Sequence, residues 1–449
     1  MQLKSSPLKL SMLALASGSL LSAVGASSAE GTDWQAEAAV LYYGELGRVT
    51  ALEPVINLQR IWSAEHIASA TLVLDALGGA SHNGAAVVDS PQTFAGSSGS
   101  AGNATDSDER VISGTSGSSN ITSKSDDDDD DEEGDDDDEY GGGGEQTFAA
   151  GEVPLISGFE DFRVALDLAY TQPLNTPLNT ISVGTALSKE EDYLSIGVNG
   201  GLAAELFSRN TKVSVSGAAA YDRIAPKDGI PQGLGDSLTS ISTLNSADKW
   251  VGEYTLGLSQ VINKISIVQL NYNKGKTSGY HTDPYKIVSR LDSAGVPVDY
   301  LNESRPEQRV KQSLYSALKV ALGAHSLTAS YRYYWDDWGV VAKSSDGLLR
   351  FNLSERLYLE GHGRWHQQSK ADFYQLWLAE AEVPDYASAD YRLGDLQTQT
   401  LGLNMGYQFS DNQAVTFRTE WYHQSDPVTD NKAAQMDAVI SQLGFKMVF

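Results

Sequence analysis

The chain has 449 residues, no cysteine, 42 Gly, 21 Tyr and 8 Trp, and its 59 acidic against 32 basic residues leave a formal charge of −27. Without cysteine there is no disulfide framework, thiolate zinc site or cysteine nucleophile. A charge this negative repels phosphate backbones and excludes nucleic-acid binding.

Residues 1–29 read as a secretory signal. Lys4 and Lys9 form a positive n-region, Leu10 to Leu21 an apolar run, and Ser27-Ser28-Ala29 a small-x-small cleavage site, placing the mature start near Glu30. An uncleaved anchor is the competing reading, but the run is shorter than the ~18 to 20 residues that span a bilayer. Residues 30–449 are then one unit.

From there on the dominant signal is period two. Phe162, Val164, Leu166, Leu168 and Tyr170 alternate with Arg163, Ala165, Asp167, Ala169 and Thr171. Leu401, Leu403, Met405, Tyr407 and Phe409 alternate with Thr400, Gly402, Asn404, Gly406 and Gln408. One face is apolar and ends in aromatics, and the other is small or polar. Strands of about ten residues with this pattern are the signature of a transmembrane barrel. A soluble sandwich also alternates, but it does not finish so many apolar faces in Tyr, Phe or Trp.

Sixteen such segments follow in chain order: 33–45, 48–63, 65–78, 159–172, 177–189, 191–206, 210–225, 248–263, 264–279, 308–323, 325–338, 341–353, 356–370, 397–410, 413–426 and 435–449. Connections after even-numbered strands are short, apart from a longer Pro-containing turn around Pro173 and Pro177. The long ones, 79–158, 226–247, 280–307 and 371–396, all follow odd-numbered strands. That parity predicts an all-β fold: a 16-stranded antiparallel outer-membrane barrel with long extracellular loops. Leu443, Phe445, Met447 and Phe449 end the chain on one apolar face. A terminal aromatic there resembles the signal that outer-membrane proteins present to the barrel-insertion machinery.

Four stretches carry a closer resemblance. They are Leu77–Ala85 (LGGASHNGA) followed by Pro91-Gln92-Thr93-Phe94, Tyr331–Gly339 (YRYYWDDWG), Arg364–Tyr374 (RWHQQSKADFY) and Ala387–Gly394 (ASADYRLG). Together they resemble the bacterial "domain of unknown function 3570" family of predicted outer-membrane proteins, over nearly all of the mature chain. The resemblance implies a barrel in the outer membrane of a Gram-negative bacterium. It also implies the company of a small lipoprotein, a thioredoxin-like protein and a flavin-attaching transferase, hence a periplasmic or lipoprotein partner in envelope redox work.

Candidate lumen residues follow from the alternation. Glu360, His362, Arg364 and His366 share one strand face with Tyr358 and Gln368. His362 and His366 stand about 13 Å apart at ~3.3 Å per residue, too far to share a metal ion without partners from other strands, so a polar lumen lining is the plainer reading. Arg332 and Asp336 face the lumen one strand system earlier, with Asp336 placed to pair with Arg332 or Arg364. Opposed charges in a lumen set ion selectivity or act as struts, and both readings fit the spacing.

The stretch 95–150 reads as a disordered Gly/Ser/Asp-rich extracellular insertion. Asp126 to Glu139 holds 13 acids in 14 positions, about half the net charge. Asp126, Asp127, Asp128, Asp129, Asp130, Asp131, Asp135, Asp136, Asp137 and Asp138 offer hard oxygen ligands for weakly held Ca²⁺ or Mg²⁺. The spaced order of an EF-hand is missing, and the bland alternative is a solvated, self-repelling loop. No other cofactor is expected. An enzyme has no motif behind it: there is no nucleophile elbow, P-loop or HExxH helix. Two functions remain, a porin-like channel or passive transporter, and a plugged scaffold for an envelope redox or metal-handling complex.

Overall fold

The structure is a computed structural model and describes residues 33–95, 111–113, 145–237, 242, 244–382, 384–429 and 431–449. The expected export signal and the acidic run Asp126–Glu139 lie outside the described residues.

Sixteen antiparallel strands close into a single barrel. They are β1 (Asp33–Glu45), β2 (Val49–Ser63), β3 (His66–His82), β4 (Leu155–Leu174), β5 (Thr176–Lys189), β6 (Tyr193–Leu206), β7 (Thr211–Ile224) and β8 (Ala247–Asn263). The second half is β9 (Ser266–Gly279), β10 (Gln308–Leu322), β11 (His325–Asp336), β12 (Val341–Asn352), β13 (Leu357–Gln368), β14 (Leu396–Ser410), β15 (Gln413–Ser425) and β16 (Met436–Val448). Each strand pairs with its sequence neighbours, and β1 pairs with β16 from Gln35↔Val448 to Glu45↔Ala438. The backbones of Trp34 and Phe449 exchange two 2.8 Å hydrogen bonds at the foot of that seam. The terminal Phe is therefore part of the closure, with its ring exposed on the outer face.

The strands divide their residues as the alternation requires. Val198, Leu256, Leu403 and Leu443 point outward and are exposed, while Glu53, Glu360, Asn404 and Glu420 point inward and are buried. An apolar exterior this continuous has no place in water. Aromatic rings band it at both ends. Tyr331, Tyr333, Trp250 and Trp421 lie towards the long loops, and Trp34, Trp62, Tyr407 and Phe445 towards the short turns.

The short turns are tighter than the prolines suggested. Leu174 and Thr176 are paired, and Asn175 alone makes the bend at φ 64°. Asn tolerates that left-handed conformation better than most residues.

The long loops hold structure that the alternation did not announce. Ile287–Leu291 pairs with Pro297–Asn302 and with Leu378–Ala379 in one small sheet. Gln92–Ala95 pairs with Val111–Ser113 and Glu145–Phe148 in another. These last two segments fall inside the 95–150 stretch, most of which lies outside the described residues. Gly79 and Gly279 sit where β3 and β9 bend into their loops, at φ 130° and 110°. A Cβ at either would lie 2.2 Å from a carbonyl oxygen of the neighbouring strand (Arg48 or Asp248), so only glycine fits.

The loops cross the barrel mouth. Ile287 N–H, in the loop after β9, donates to Asn83 O, in the loop after β3, at 2.9 Å. Leu234, after β7, donates to Asn302 O at 3.0 Å. Ser304 and Ala387, after β9 and β13, exchange two hydrogen bonds of 2.9 and 3.0 Å. The roots of these loops are spread around a ring of sixteen strands that is roughly 30 Å across, given strand spacing of about 4.8 Å and tilt near 40°. They can touch only by folding over the opening, where they form a cap with its own apolar clusters. Phe94 is fully buried among Phe148, Ile156, Ile287 and Tyr300, and Val288 and Leu378 among Leu301, Ala387 and Ala389. Each such side chain contributes about 1.5–3 kcal/mol on burial.

Leu403, exposed at the middle of β14, tests the assignment of faces. Leu403→Arg is expected to cost about 2–4 kcal/mol in lipid vesicles, as a charge at the bilayer midplane does. Denaturant unfolding followed by tryptophan fluorescence measures it, and an unchanged stability would place this face away from lipid.

Candidate functional site

Two walls of the lumen carry opposite charge. The register of β11, β12, β13 and β15 brings Arg332, Asp346, His362, Arg364, Arg418 and Glu420 to the inner face. His362 stands between two carboxylates, with Nδ1 2.9 Å from Glu420 Oε1 and Nε2 3.5 Å from Asp346 Oδ1. It reaches Glu420 across β14 because the residue between them is Gly402, where a Cβ would lie 2.5 Å from the Glu420 side chain. Arg364 contacts Asp346 at 3.6 Å, Arg418 contacts Glu420 at 3.9 Å, and the Arg332 guanidinium lies 5.6 Å from the Tyr315 ring. Two carboxylates thus face three arginines and a histidine, and the wall is cationic. The Arg364 and Arg418 contacts are loose, at 3.6 and 3.9 Å. Their consequence is the field they present.

Strands β2 to β4, across the ring, present the reverse. Arg163 lies 3.4 Å from Asp75 and 3.8 Å from Glu53, with Asp167 on the same face of β4. One cation faces three carboxylates. Nearby, Asp222 is wholly buried, accepts from Ser195 Oγ at 2.7 Å and pairs with Lys249 at 3.2 Å. A lumen with acid on one side and arginine on the other imposes a transverse field on any solute within it.

Asp336 does not pair with Arg332 or Arg364. Arg309 on the adjacent strand takes it, with Nε at 2.8 Å, and the Tyr334 hydroxyl donates to it at 2.6 Å. Its other oxygen accepts from the backbone N–H groups of Trp338 and Val340 at 3.0 Å each. The residue therefore organises the β11–β12 turn, which is also where a polar side chain at a strand end finds unpaired N–H groups. Glu360 pairs with Arg350 at 3.1 Å, and His366 Nδ1 lies 2.8 Å from Ser344 Oγ. The two histidines thus have separate partners. Among the described residues no group of three or more His, Asp or Glu is arranged to hold a metal ion.

The cap contains a second charged cluster, absent from the sequence expectations. Glu303 and Asp390 are buried, at 0% and 2% exposure. Arg305 lies 2.7 Å from Glu303 and 2.9 Å from Asp390, and Arg392 donates through Nε to Asp390 at 2.7 Å and through Nη2 to Asp283 at 3.2 Å. Ser388 donates to Glu303 at 2.5 Å, and Lys286 donates to the carbonyl of His82. The network ties the loops after β3, β9 and β13 together. Burial alone would raise the Asp390 carboxyl, but Arg392 and Arg305 outweigh it and hold it well below the ordinary carboxylate range. Burial raises Glu303, with Arg305 opposing, and lowers Lys286. Part of the signal was present in Ala387–Gly394, whose Asp390 and Arg392 form the centre of the cluster.

The family described as "Protein of unknown function (DUF3570)" matches residues 8–442. No curated protein matches the chain. Among solved structures, OccK3 (OpdO) of Pseudomonas aeruginosa is similar at 9% identity, over 94% of this chain and 97% of that one, with a TM-score of 0.38. OccD3 (OpdP) of the same species is similar at 10% identity, over 95% and 93%, with a TM-score of 0.39. The Pseudomonas putida toluene transporter TodX is similar at 10% identity, over 94% and 90%, with a TM-score of 0.37.

Asp390→Asn leaves two buried guanidinium groups without their shared carboxylate. Loss of one partner from a buried pair costs about 3–5 kcal/mol. Hydrogen exchange in 283–305 and 369–395 is expected to accelerate accordingly while exchange in the barrel strands stays unchanged. Because the folded carboxyl is depressed, its contribution is complete above the ordinary Asp value of about 3.9 and declines only as pH falls further. The difference between wild type and variant is therefore flat from pH 8 to 5. A difference that vanishes by pH 5 would contradict the assigned pairing.

Proposed function

The chain belongs to the family of proteins of unknown function DUF3570, and we propose that it is a porin-like passage of the Gram-negative outer membrane, closed at its loop end by a folded cap. The observation that carries this reading is the junction of loops rooted on different sides of the barrel, Ile287 to Asn83 and Ser304 to Ala387, above a lumen with opposed charged walls. A barrel of sixteen strands is wide enough for water and small solutes. The transverse field favours solutes that are themselves dipolar or that carry both signs. The cap, not the wall, would then decide whether the passage conducts.

In this reading the loops face outward from the cell, as long loops of such barrels do. The described segments before and after the acidic run, Val111–Ser113 and Glu145–Phe148, both pair with Gln92–Ala95. The carboxylates of the run are proposed to collect Ca²⁺ or Mg²⁺ weakly and multivalently. Phe449, exposed at the seam, is the residue offered to the barrel-insertion machinery.

A second reading has its own observation. A cap pinned by the buried network of Asp283, Glu303, Arg305, Asp390 and Arg392 suits a permanently plugged barrel that scaffolds a periplasmic or lipoprotein redox partner. Buried ionic networks add specificity more than stability, and a fixed plug needs a unique arrangement.

Planar-bilayer recording separates the two. Wild type is expected to open rarely, and Asp390→Asn combined with Glu303→Gln to open far more often. In the opened protein, Arg332→Glu with Arg364→Glu should move the reversal potential in asymmetric KCl towards cation preference. Folded protein that stays silent with the cap loosened argues for the plugged scaffold. Deleting 126–139 is expected to leave insertion and conductance intact while lowering Ca²⁺ bound per molecule, measured by equilibrium dialysis. Equal Ca²⁺ binding would remove the cation role.

A further inference from the structure

At the short-turn end of the outer wall, one cross-strand row over β1 to β4 reads Trp34, Arg60, Ala68, Tyr170. Arg60 shares its strand face with the exposed Ile56, Leu58 and Trp62, opposite to the buried Glu53 of the lumen side. The next rows towards the middle of the wall are apolar. They hold Leu58 between Ala36 and Ala70, then Ile56 between Ala38 and Leu72. A guanidinium therefore stands on the outer face, in the aromatic band where hydrocarbon gives way to headgroups.

Rings from four strands hold it in place. Its central carbon lies 5.1 Å from the Trp34 ring and 5.3 Å from the Trp62 ring, a cation–π contact with each. Trp62 is itself stacked on His66, with centroids 4.5 Å apart and planes at 28°. His66 Nε2 in turn lies 2.8 Å from the Tyr170 hydroxyl. On the other side of Arg60 the row holds only the small Ala68 before Tyr170 is reached.

What these neighbours do not supply is an acceptor. Arg60 Nε is buried without a hydrogen-bond partner, and no carboxylate among the described residues pairs with this guanidinium. The acid nearest in sequence, Glu65, is engaged elsewhere, 3.7 Å from Arg209 and 3.5 Å from Ser63 Oγ. A cation at the edge of hydrocarbon is costly unless an anion meets it. The planar fork of an arginine matches the paired oxygens of a phosphate, and a phosphate is the anion that a lipid brings to this depth.

We propose that Arg60 holds the phosphodiester of one glycerophospholipid from the leaflet at the short-turn end, whose acyl chains lie beside the Leu58–Ile56 ridge over Ala36 and Ala70. The site rests on the reading of the barrel as membrane-spanning. It does not depend on whether the barrel conducts.

The full-length barrel, purified and delipidated in detergent, is titrated with phosphatidylethanolamine, phosphatidylglycerol or diacylglycerol of the same chains, and retained lipid is counted by native mass spectrometry. One phospholipid per barrel is expected with either headgroup, and no diacylglycerol. Arg60→Gln should weaken retention about tenfold, the scale of one charge-assisted hydrogen bond. Ala68→Leu keeps the charge but fills the row beside it, and should also weaken retention. Millimolar inorganic phosphate should displace little, because it lacks the chains. The heat-dependent shift in gel mobility confirms that each variant is folded. Equal retention by either variant, or diacylglycerol held as well as phospholipid, overturns the proposal. Displacement by inorganic phosphate gives the site to a free anion instead, and a dimer that Arg60→Gln dissociates gives it to a second copy of the chain. A barrel that does not insert into phospholipid vesicles overturns the spanning reading and the site with it, whereas an inserted barrel indifferent to Arg60→Gln loses the site alone.

Discussion

Every backbone N–H and C=O in the wall must find its partner inside the protein, because hydrocarbon offers none. Closure of β1 onto β16 is what meets that demand, and the rest of the structure follows from it. A closed ladder leaves side chains only two directions, so a two-residue period becomes an inside and an outside. The seam depends on the last residues of the chain: Phe449 and Trp34 complete the hydrogen bonding at its foot. The ring can close only when β16 is in place beside β1.

The cap obeys a different physics. Its segments sit above the wall, where water is available, and are held by small apolar clusters and one buried ionic network. Neither is strong alone. The clusters are a few side chains each, and the network replaces hydration by charge pairing at little net gain. What the network supplies is direction. Arg305 and Arg392 meet Asp390 only when the loops after β9 and β13 lie in one arrangement, so the cap has a defined closed state. Removing one carboxylate is costly for the same reason, since the cations left behind stay buried.

Legibility in the sequence divides along the same line. The strands were readable because alternation is local: each of the sixteen expected segments matches an observed strand, most within one or two residues at each end. Strands β3 and β4 run further than expected because their upper ends, Gly79–His82 and Leu155–Gly158, pair beyond the apolar stretch. The turn at Asn175 was misjudged as long because two prolines flank it, whereas the fold needs one residue able to adopt a positive φ. The pairing of lumen charges was not legible, since Asp336 to Arg309 and His362 to Glu420 depend on which strand stands beside which. The cap was not legible. Its strands of two to six residues are too short to show a period, and its contacts join residues as distant as Lys286 and His82.

The four stretches that carry the family resemblance are far apart in sequence and close together in space. Gly79 turns β3 towards the mouth, and Gly84 brings its chain against Ile287. Asp336 sets the β11–β12 turn whose Trp338 packs on Phe373 and Leu393. Tyr391 lies between the His82 ring at 6.5 Å and the buried Met436. The greater part of each stretch therefore builds the junction between wall and cap, while Arg332 and Arg364, from two of them, stand on the charged wall of the lumen. If the barrel simply admitted solutes by size, the elaborate part of the molecule would be its constriction. Here the elaborate part is the lid, where a charge network fixes one closed arrangement. In the proposed passage, the polar wall beneath it, with its opposed charges, would sort whatever the cap admits.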